Sequence, residues 1–248
     1  MKLFLDSLNY IDTELGHDLS IPLSADEHNP RAWYVDPPLM EPVRANGFIG
    51  SVLEGGKVNF RNIFFNPHGH GTHTECLGHI TEKIYSINES LKSHFFKATL
   101  ITITPESMGE DLIITKTQLQ EALGSTTTEA LVIRTLPNQP SKKEKNYSAS
   151  NAPYIDVKAI DVLNQANIKH LLIDLPSVDR EEDGGVLAFH HAFWQVPENP
   201  TFDKTITELI YVPDDVSDGE YLLNLQTAPF ENDASPSRPI LFEIFPTI

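Results

Sequence analysis

Short apolar runs rich in β-branched residues recur along the chain from Gly47 to its C-terminus. In ATLITITP, Leu100 and Thr102 alternate with Ile101 and Ile103 along the chain. Such period-two alternation predicts a half-buried strand, and a nearly continuous run such as HLLIDL predicts a strand buried on both faces. The predicted strands lie in FIGSVL, VNFRNIFF, ATLITITP, EALVIRTL, KHLLIDLPSV, ITELIYVP, EYLLNLQ and PILFEIF.

Three segments have helical patterns. TKTQLQEALG begins at Thr115 with Gln118 three residues later, which is the spacing of a capping box, and it ends at Gly124. DVKAIDVLNQAN has Asp156 as its predicted N-cap and an apolar face at a spacing of three to four residues. ITEKIYSINESL is the third predicted helix.

The predicted fold class is α/β, with many strands and a few helices on the outside. The polar, Pro- and Ser-rich segment from Pro137 to Pro153 is expected to be a surface loop. We do not place a domain boundary there, because the apolar runs on both sides belong to one sheet system. The sequence therefore predicts a single domain over residues 1–248.

Composition and charge exclude several classes of partner. The formal net charge of −17 argues against nucleic acid and against an anionic membrane surface. It also disfavours strongly anionic substrates unless a metal reverses the local field. The single cysteine excludes an intrachain disulfide framework. No apolar run is long enough for a spanning helix or a signal peptide, so we expect a cytoplasmic protein.

The segment HGHGTHTECLGH, from His68 to His79, holds four of the ten histidines and a glutamate. Its glycines make a helix unfavourable. On an extended chain His73, Glu75 and His79 share a parity and point to one side. Gly71 allows a turn through which His70 or His68 could join them.

Mixed histidine and carboxylate ligation suits Zn²⁺, Mn²⁺ or Fe²⁺, and an open coordination position leaves room for an activated water. The alternative is a polar loop whose histidines are solvated or bonded to backbone groups. The density of histidines together with a glutamate favours a metal or catalytic site.

A site built from one short segment needs ligands from elsewhere in the chain. The second concentration of histidines is FHHAFW, where neighbours on a strand would face opposite ways, so that one of the two could reach a site. The candidate suppliers of further ligands are His190, His191, Glu208, Asp174 and Asp179.

Other chemistries have weaker support. The chain contains no G-x-S-x-G, P-loop or G-x-G-x-x-G motif. Cys76 lies in the histidine cluster but would face away from Glu75 on an extended chain, so we interpret it as a small buried residue. Several aromatic residues could line a pocket or simply pack in the core: Trp33, Phe64, Phe65, Phe193 and Trp194.

The stretch GTHTECLGH resembles the H-x-G-T-H-x-D-x-P-x-H signature of the metal-dependent cyclase-like hydrolases, which include bacterial kynurenine formamidase and isatin hydrolase. Shorter matches follow in the family's order over most of the chain: DLSIPL, ALVIRT, IDLPSVD, AFHHAFW, TELIYV and GEYLLNLQTAPFENDASPSRPILFEI. The resemblance implies a swivelling β/β/α barrel-like domain that assembles as a homodimer or larger oligomer.

The resemblance also implies roles for single residues. His73 and Glu75 match metal ligands of the signature, with Glu75 one methylene longer than the family's Asp, and His79 matches its proton donor and acceptor. His190 and Glu208 match later metal ligands. The first signature histidine falls on Gly69, and the two flanking histidines, His68 and His70, are the candidates to replace it.

Two hypotheses from different classes follow. The first is a hydrolase of small-molecule amide or ester bonds, of the aryl formamide or cyclic amide type, that uses one or two Zn or Mn ions and His79 as the proton shuttle. The second is a catalytically inactive relative that binds a small molecule or a structural metal. An elimination or ring-closing enzyme would share the metal of the first hypothesis and differ in its substrate.

Overall fold

The computed structural model describes residues 1–247. Its helices are short, and strands make up most of its regular structure. The helices are α1 (Ile87–Ser90), α2 (Lys116–Leu123), α3 (Ile160–Gln165) and α4 (Ala188–Trp194). The strands are β1 (Lys2–Phe4), β2 (Asn9–Asp12), β3 (Gly16–Asp18), β4 (Leu39–Pro42), β5 (Arg44–Ala45), β6 (Phe48–Ile49), β7 (Arg61–Phe64), β8 (His73–Glu75), β9 (Phe95–Ile103), β10 (Glu106–Met108), β11 (Asp111–Ile114), β12 (Ala130–Thr135), β13 (Tyr154–Ile155), β14 (His170–Ile173), β15 (Thr205–Glu208), β16 (Gly219–Thr227), β17 (Ala234–Glu243) and β18 (Phe245–Pro246).

Seven strands close into a barrel in the order β16, β9, β12, β14, β15, β8 and β17, because β17 pairs back with β16. The four central strands β9, β12, β14 and β15 are parallel to one another. The remaining pairs in the barrel are antiparallel, and β3 adds to β17 outside the ring. The predicted strand-rich, barrel-like fold class is confirmed.

The barrel closes around the most apolar segments of the sequence. Every residue of β12 and β14 is buried, as the continuous apolar pattern predicts for strands that are covered on both faces. Their apolar side chains belong to one large core cluster that also includes residues of β9, β15 and β16. The strands predicted in ATLITITP, EALVIRTL, KHLLIDLPSV, ITELIYVP, EYLLNLQ and PILFEIF are confirmed within β9, β12, β14, β15, β16 and β17.

Two of the predicted helices form with the predicted caps. The hydroxyl of Thr115 accepts from the backbone N–H of Gln118, the side chain of Gln118 bonds back to the Thr115 backbone, and α2 ends at Gly124. Asp156 caps a 3₁₀ turn that leads directly into α3. These caps satisfy backbone N–H groups that have no partner inside a helix, which is why the local sequence specifies both starts.

Three local predictions are wrong. The helix predicted in ITEKIYSINESL is limited to α1, because Ser86 is extended and its hydroxyl caps the N–H of Asn88. FHHAFW is not a strand but lies in α4, whose first turn is held by Asp179 through the N–H groups of Phe189 and His190. The strand predicted in FIGSVL is limited to β6, because the chain turns immediately after it.

Residues 38–65 form an extension that we call the arm. It contains the pairs β4–β7 and β5–β6, neither of which joins the barrel sheet. The arm leads directly into the histidine cluster through Phe65, whose ring packs against that of Phe230. Within residues 1–247, no helix has both the length and the apolar character needed to cross a membrane.

Candidate metal centre

Strands β8 and β15 place the first three candidate ligands next to each other. His73 and Glu75 are two residues apart on β8 and therefore share a face, and Glu208 pairs with His73 in the antiparallel register. His73 Nε2 lies 3.4 Å from Glu208 Oε2. Thr74 points the other way, and its hydroxyl meets that of Thr207 at 2.8 Å. The sheet thus directs one imidazole and two carboxylates to one point.

The parity argument is wrong for His79, because the extended chain ends at Glu75. A 3₁₀ turn over Leu77–Ile80 folds the chain back. The turn brings His79 Nε2 to 3.9 Å from Glu75 Oε2, so the residue still reaches the cluster by a different route. The His79 side chain is 30% exposed, whereas that of Glu75 is 1% exposed.

Glu75 is the centre of the cluster. Its Oε1 atom accepts a hydrogen bond of 3.0 Å from His190 Nε2. Its Oε2 atom lies 2.9 Å from His68 Nδ1, in an orientation that does not make a hydrogen bond. His68 lies in the loop before β8 and His190 lies in α4, so the two residues meet only in the folded barrel.

Each of these imidazoles is fixed through its far nitrogen. Asp233 bonds His68 Nε2 at 2.7 Å, and Asp179 bonds His190 Nδ1 at 2.6 Å. This leaves His68 Nδ1 and His190 Nε2 directed at Glu75. A carboxylate behind a histidine ring is the usual arrangement for orienting a metal-binding imidazole.

His73 has the same arrangement with a backbone partner. Its Nδ1 bonds the carbonyl oxygen of Gly71 at 3.0 Å, and its Nε2 faces the cluster. Glu208 is held in place by the backbone N–H of Val178, which donates to Oε1 at 3.1 Å. The second oxygen of Glu208 therefore remains available on the side of His73.

The carboxylates of the cluster stabilise positive charge on the neighbouring imidazoles. Burial opposes protonation of His68, but the hydrogen bond to Asp233 and the charge of Glu75 outweigh it and raise the pKa of His68 to about 10. Burial likewise opposes protonation of His190, yet Asp179 and Glu75 raise its pKa to about 10. Burial would raise the pKa of Glu75, but the surrounding imidazoles hold it well below its usual value.

Imidazoles balance the carboxylates of this cluster. Among the described residues no lysine or arginine forms an ion pair with Glu75, Asp179, Glu208 or Asp233. Four acidic side chains with only imidazoles between them attract either protons or a metal cation, and the two compete for the same nitrogen atoms.

The donor atoms fit a divalent metal. His73 Nε2 and Glu75 Oε2 are buried and have no hydrogen-bond partner. An unpartnered buried polar atom is costly, and a cation between these atoms would satisfy both. The nitrogen and carboxylate donors of three overlapping groups lie within 4.8 Å of one another: His68, His73 and Glu75; Glu75, His79 and His190; and His68, His79 and Asp233.

The structure separates the two candidates for the missing signature histidine. Both ring nitrogens of His70 are used by backbone groups, since the N–H of Asn66 donates to Nδ1 and Nε2 bonds the carbonyl oxygen of Asp36, each at 2.7 Å. His68, by contrast, has its ring beside His73, with centroids 5.4 Å apart. His70 therefore lies outside the donor cluster and His68 inside it.

Of the remaining candidate residues from the sequence, one joins the cluster and three bond elsewhere. Asp179 joins the cluster behind His190, whereas Asp174 bonds the Lys142 ammonium at 2.7 Å and the backbone and hydroxyl of Thr135. His191 Nδ1 bonds the carbonyl oxygen of Val196 at 3.1 Å instead of the cluster. Cys76 is buried and its thiol donates to the carbonyl of Tyr85. Sequence reasoning missed Asp233, which has no motif of its own within FENDAS.

A cavity of about 390 Å³ opens beside the cluster. Of the aromatic residues considered from the sequence, Trp33 lines it, while Phe193 and Trp194 are buried in the core. Its full lining is Trp33, Asn66, His68, His79, Ser177, Leu187, His190 and Glu208.

The chain thus combines a closed α/β barrel with a cluster of histidine and carboxylate side chains at one end. Residues 17–180 match the sequence profile of the Cyclase family, described as "Putative cyclase". The chain belongs to this family, and the resemblance stated from its signature is confirmed. No curated protein matches the chain.

Solved structures show the same fold at low sequence identity. The structure of a potential metal-dependent hydrolase with cyclase activity has a TM-score of 0.64 and 18% identity, covering 92% of this chain and 96% of its own. A predicted metal-dependent hydrolase from Bacillus stearothermophilus has a TM-score of 0.65 and 17% identity, with 92% and 97% covered. An isatin hydrolase bound to the product analogue thioisatinate has a TM-score of 0.66 and 12% identity, with 94% and 93% covered.

Proposed function

We propose that the protein is a metal-dependent hydrolase of small-molecule amide or ester bonds. The observation that carries this proposal is the pair of buried donor atoms without a hydrogen bond, His73 Nε2 and Glu75 Oε2, in a cluster whose members His68, His79, His190 and Glu208 line a cavity. The names of the structural neighbours, metal-dependent hydrolases and an isatin hydrolase, support the same class.

The proposed metal ligands are His68, His73, Glu75, His190 and Glu208, and the proposed metal is Zn²⁺ or Mn²⁺, as one or two ions. The imidazole and carboxylate donors suit either ion. When bound, such a metal lowers the pKa of a coordinated water towards neutrality and polarises a carbonyl group.

His79 is the proposed proton shuttle. It lies on the cavity wall, partly exposed, and its ring stacks on that of His68 with centroids 4.1 Å apart. Its Nε2 atom is on the side of Glu75 and its Nδ1 atom is 3.5 Å from Asp233. In this position the imidazole can take a proton from the attacking water and pass it to the leaving nitrogen or oxygen.

The cavity favours a neutral, planar substrate such as an aryl formamide or a cyclic amide. Two of its walls are the apolar residues Trp33 and Leu187, and no lysine or arginine is among the described residues that line it. Both wall residues have left-handed backbones, with φ of 59° and 46°, a strained conformation that clusters at ligand sites.

The first test is metal content per chain, measured by elemental analysis on protein without a histidine tag. We expect one to two equivalents of Zn or Mn, strongly reduced in His73→Ala and in Glu208→Ala. The matched control is His28→Ala, which removes an exposed imidazole that belongs to none of the donor groups and should leave the content unchanged. Hydrolysis is then assayed with an aryl formamide and a cyclic amide.

Two results contradict the proposal in different ways. If the wild type takes up no metal even after reconstitution, the metal centre is absent and a small-molecule binding protein replaces the enzyme. If metal is bound but neither substrate class is hydrolysed, a structural metal remains and the catalytic assignment is wrong.

We also propose that two copies assemble through the arm. Nine of its large apolar side chains are between 36% and 97% exposed. Together they offer on the order of 800 Å² of surface, which matches the area that each partner contributes to an interface of standard size. These residues are Leu39, Phe48, Ile49, Val52, Leu53, Val58, Phe60, Ile63 and Phe64.

Charge favours a second copy as the partner. The arm holds three basic residues against two acidic ones, so it is nearly neutral in a chain whose net charge is −17. The arm is therefore a surface on which two such acidic chains can meet without strong repulsion. Isolated two-stranded hairpins are also marginal in water, so cover by a partner would stabilise them.

Light scattering after size exclusion tests this assembly. The wild type should have the mass of a dimer or tetramer, and the double variant Leu53→Asp, Phe60→Asp should have that of a monomer. Leu8→Asp is the control, because Leu8 is 69% exposed but lies outside the arm. A monomeric wild type, or a variant that remains oligomeric, would show that the arm is not the interface.

A further inference from the structure

Asp233 directly precedes β17 and makes one side-chain hydrogen bond among the described residues, with His68. Its Oδ2 atom lies 2.7 Å from His68 Nε2 and 3.5 Å from His79 Nδ1. Asp179, the other carboxylate behind an imidazole, also caps α4 through two backbone N–H groups. Asp233 has no such second task, so its carboxylate serves the histidines alone.

The contact with Asp233 decides which atom of His68 faces the cluster. Because Nε2 is engaged, Nδ1 is the nitrogen that lies 2.9 Å from Glu75 Oε2. Glu75 is thereby flanked by two imidazoles that are each backed by an aspartate, His68 by Asp233 and His190 by Asp179. The arrangement matches the general rule that a carboxylate behind the ring orients a metal-binding histidine.

A side chain at the next position, Gly69, would be crowded in the loop before β8. A Cβ atom at Gly69 would lie 2.8 Å and 3.1 Å from the two methyl groups of Val35. These distances are shorter than normal carbon contacts, so a histidine at position 69 requires Val35 to move. This crowding disfavours a histidine at position 69, and the ring that lies beside His73 is that of the neighbouring His68, anchored by Asp233.

We propose that Asp233 is a positioning residue that holds His68 as the metal ligand in place of a histidine at position 69. This inference rests on the proposed metal centre. Asp233 is 165 residues away from His68 in the sequence, directly before β17, the strand whose pairing with β16 closes the barrel. The orientation of His68 therefore depends on closure of the barrel and not on the signature segment alone.

The test is metal affinity, measured by competition between the protein and a chromogenic chelator for Zn²⁺. We expect Asp233→Ala to bind Zn²⁺ about 10 to 100 times more weakly than the wild type, the usual effect of removing a carboxylate behind a ligand. Asp233→Asn keeps an acceptor oxygen without the charge and should lie between the two. Asp18→Ala is the control for lost negative charge, since Asp18 pairs with Arg238 on the surface.

A double-mutant cycle shows whether Asp233 acts through His68. In a His68→Ala background, Asp233→Ala should weaken Zn²⁺ binding no further, because the ring that it orients is gone. Asp233→Asn has nearly the shape of the native residue, and it replaces Asp233→Ala in the cycle if the alanine variant does not fold.

The possible results separate this inference from the proposed function. Additive losses in the cycle, or an Asp233→Ala affinity equal to that of the wild type, overturn the role of Asp233 while the metal centre stands. A wild type that binds neither Zn²⁺ nor Mn²⁺ overturns the metal centre and the positioning role together.

Discussion

The two ends of the barrel each bury a histidine, and the pKa values of the two residues are shifted in opposite directions. His170 begins β14, is 4% exposed, and has its pKa lowered to about 4 by burial and by the charge of Lys169. His190 is 2% exposed, yet its pKa is raised to about 10 because Asp179 and Glu75 outweigh the burial. Burial is nearly the same at the two ends, so the charged neighbours make the difference: Asp179 and Glu75 at His190, and Lys169 at His170.

Access does not distinguish the two ends either. A cavity of about 270 Å³ lies beside His170, and the site end has one of about 390 Å³. At the His170 end the ring packs on Phe96, with centroids 3.9 Å apart, and its Nδ1 bonds the hydroxyl of Thr205 at 2.9 Å. A hydroxyl satisfies a neutral imidazole and needs no cation, whereas the site end holds four carboxylates that do.

The largest effect is expected when His79 is replaced. His79→Ala should lower kcat by about 10² to 10⁴, because it removes the most exposed imidazole of the cluster while the proposed ligands remain. Turnover of an aryl formamide and metal content, measured on the same preparation, check this prediction.

The matched change at the other end is His170→Gln, which should leave kcat within a factor of about two. If both variants lost activity equally, the two ends of the barrel would not be chemically distinct. Loss of metal together with activity in His79→Ala would instead make His79 a ligand.

Much of the barrel is predictable because its strands are short apolar runs with a period of two or buried on both faces. The caps of α2 and α3 are likewise local, since Thr115 and Asp156 each bond within three residues of themselves. The start of α4 is not local. Its first turn is fixed by Asp179, ten and eleven residues earlier, which a periodicity argument over FHHAFW does not include.

The candidate site likewise has residues that the sequence predicts and residues that only the folded structure identifies. The density of histidines pointed to His73 and Glu75, and the family resemblance selected His190 and Glu208 from five candidate ligands elsewhere in the chain. The choice between His68 and His70 depended on contacts with Asp233, Asn66 and Asp36, which only the folded chain brings together. An aspartate in a polar loop carries no local signal, so Asp233 could not be found from the sequence.

The intermediate effect concerns the dependence of stability on pH. The pKa of His170 is about 6.5 in the unfolded chain and about 4 in the folded one, so the unfolded state binds the extra proton between these values. The contribution of His170 is therefore fully present above pH 6.5 and is lost as the pH falls to 4, by about 3 kcal/mol. Urea unfolding at pH 7.5 and 4.5 measures it.

His170→Gln cannot titrate and should lose correspondingly less stability than the wild type between these two pH values, whatever its stability at pH 7.5. Equal losses in the two proteins would show that His170 is not a buried neutral imidazole. The contrast with His190 would then disappear, because burial at the His170 end would no longer decide the charge.

The smallest effect is expected for Thr205→Val, which removes the hydroxyl that bonds His170 Nδ1 but preserves the shape of the side chain. The free energy of unfolding at pH 7.5 should fall by about 1 kcal/mol, because one buried hydrogen bond is lost. Metal content should equal that of the wild type, since Thr205 lies at the opposite end of β15 from Glu208. A change in metal content would mean that β15 couples the two ends, and the carboxylates of the site would then depend on the packing around His170.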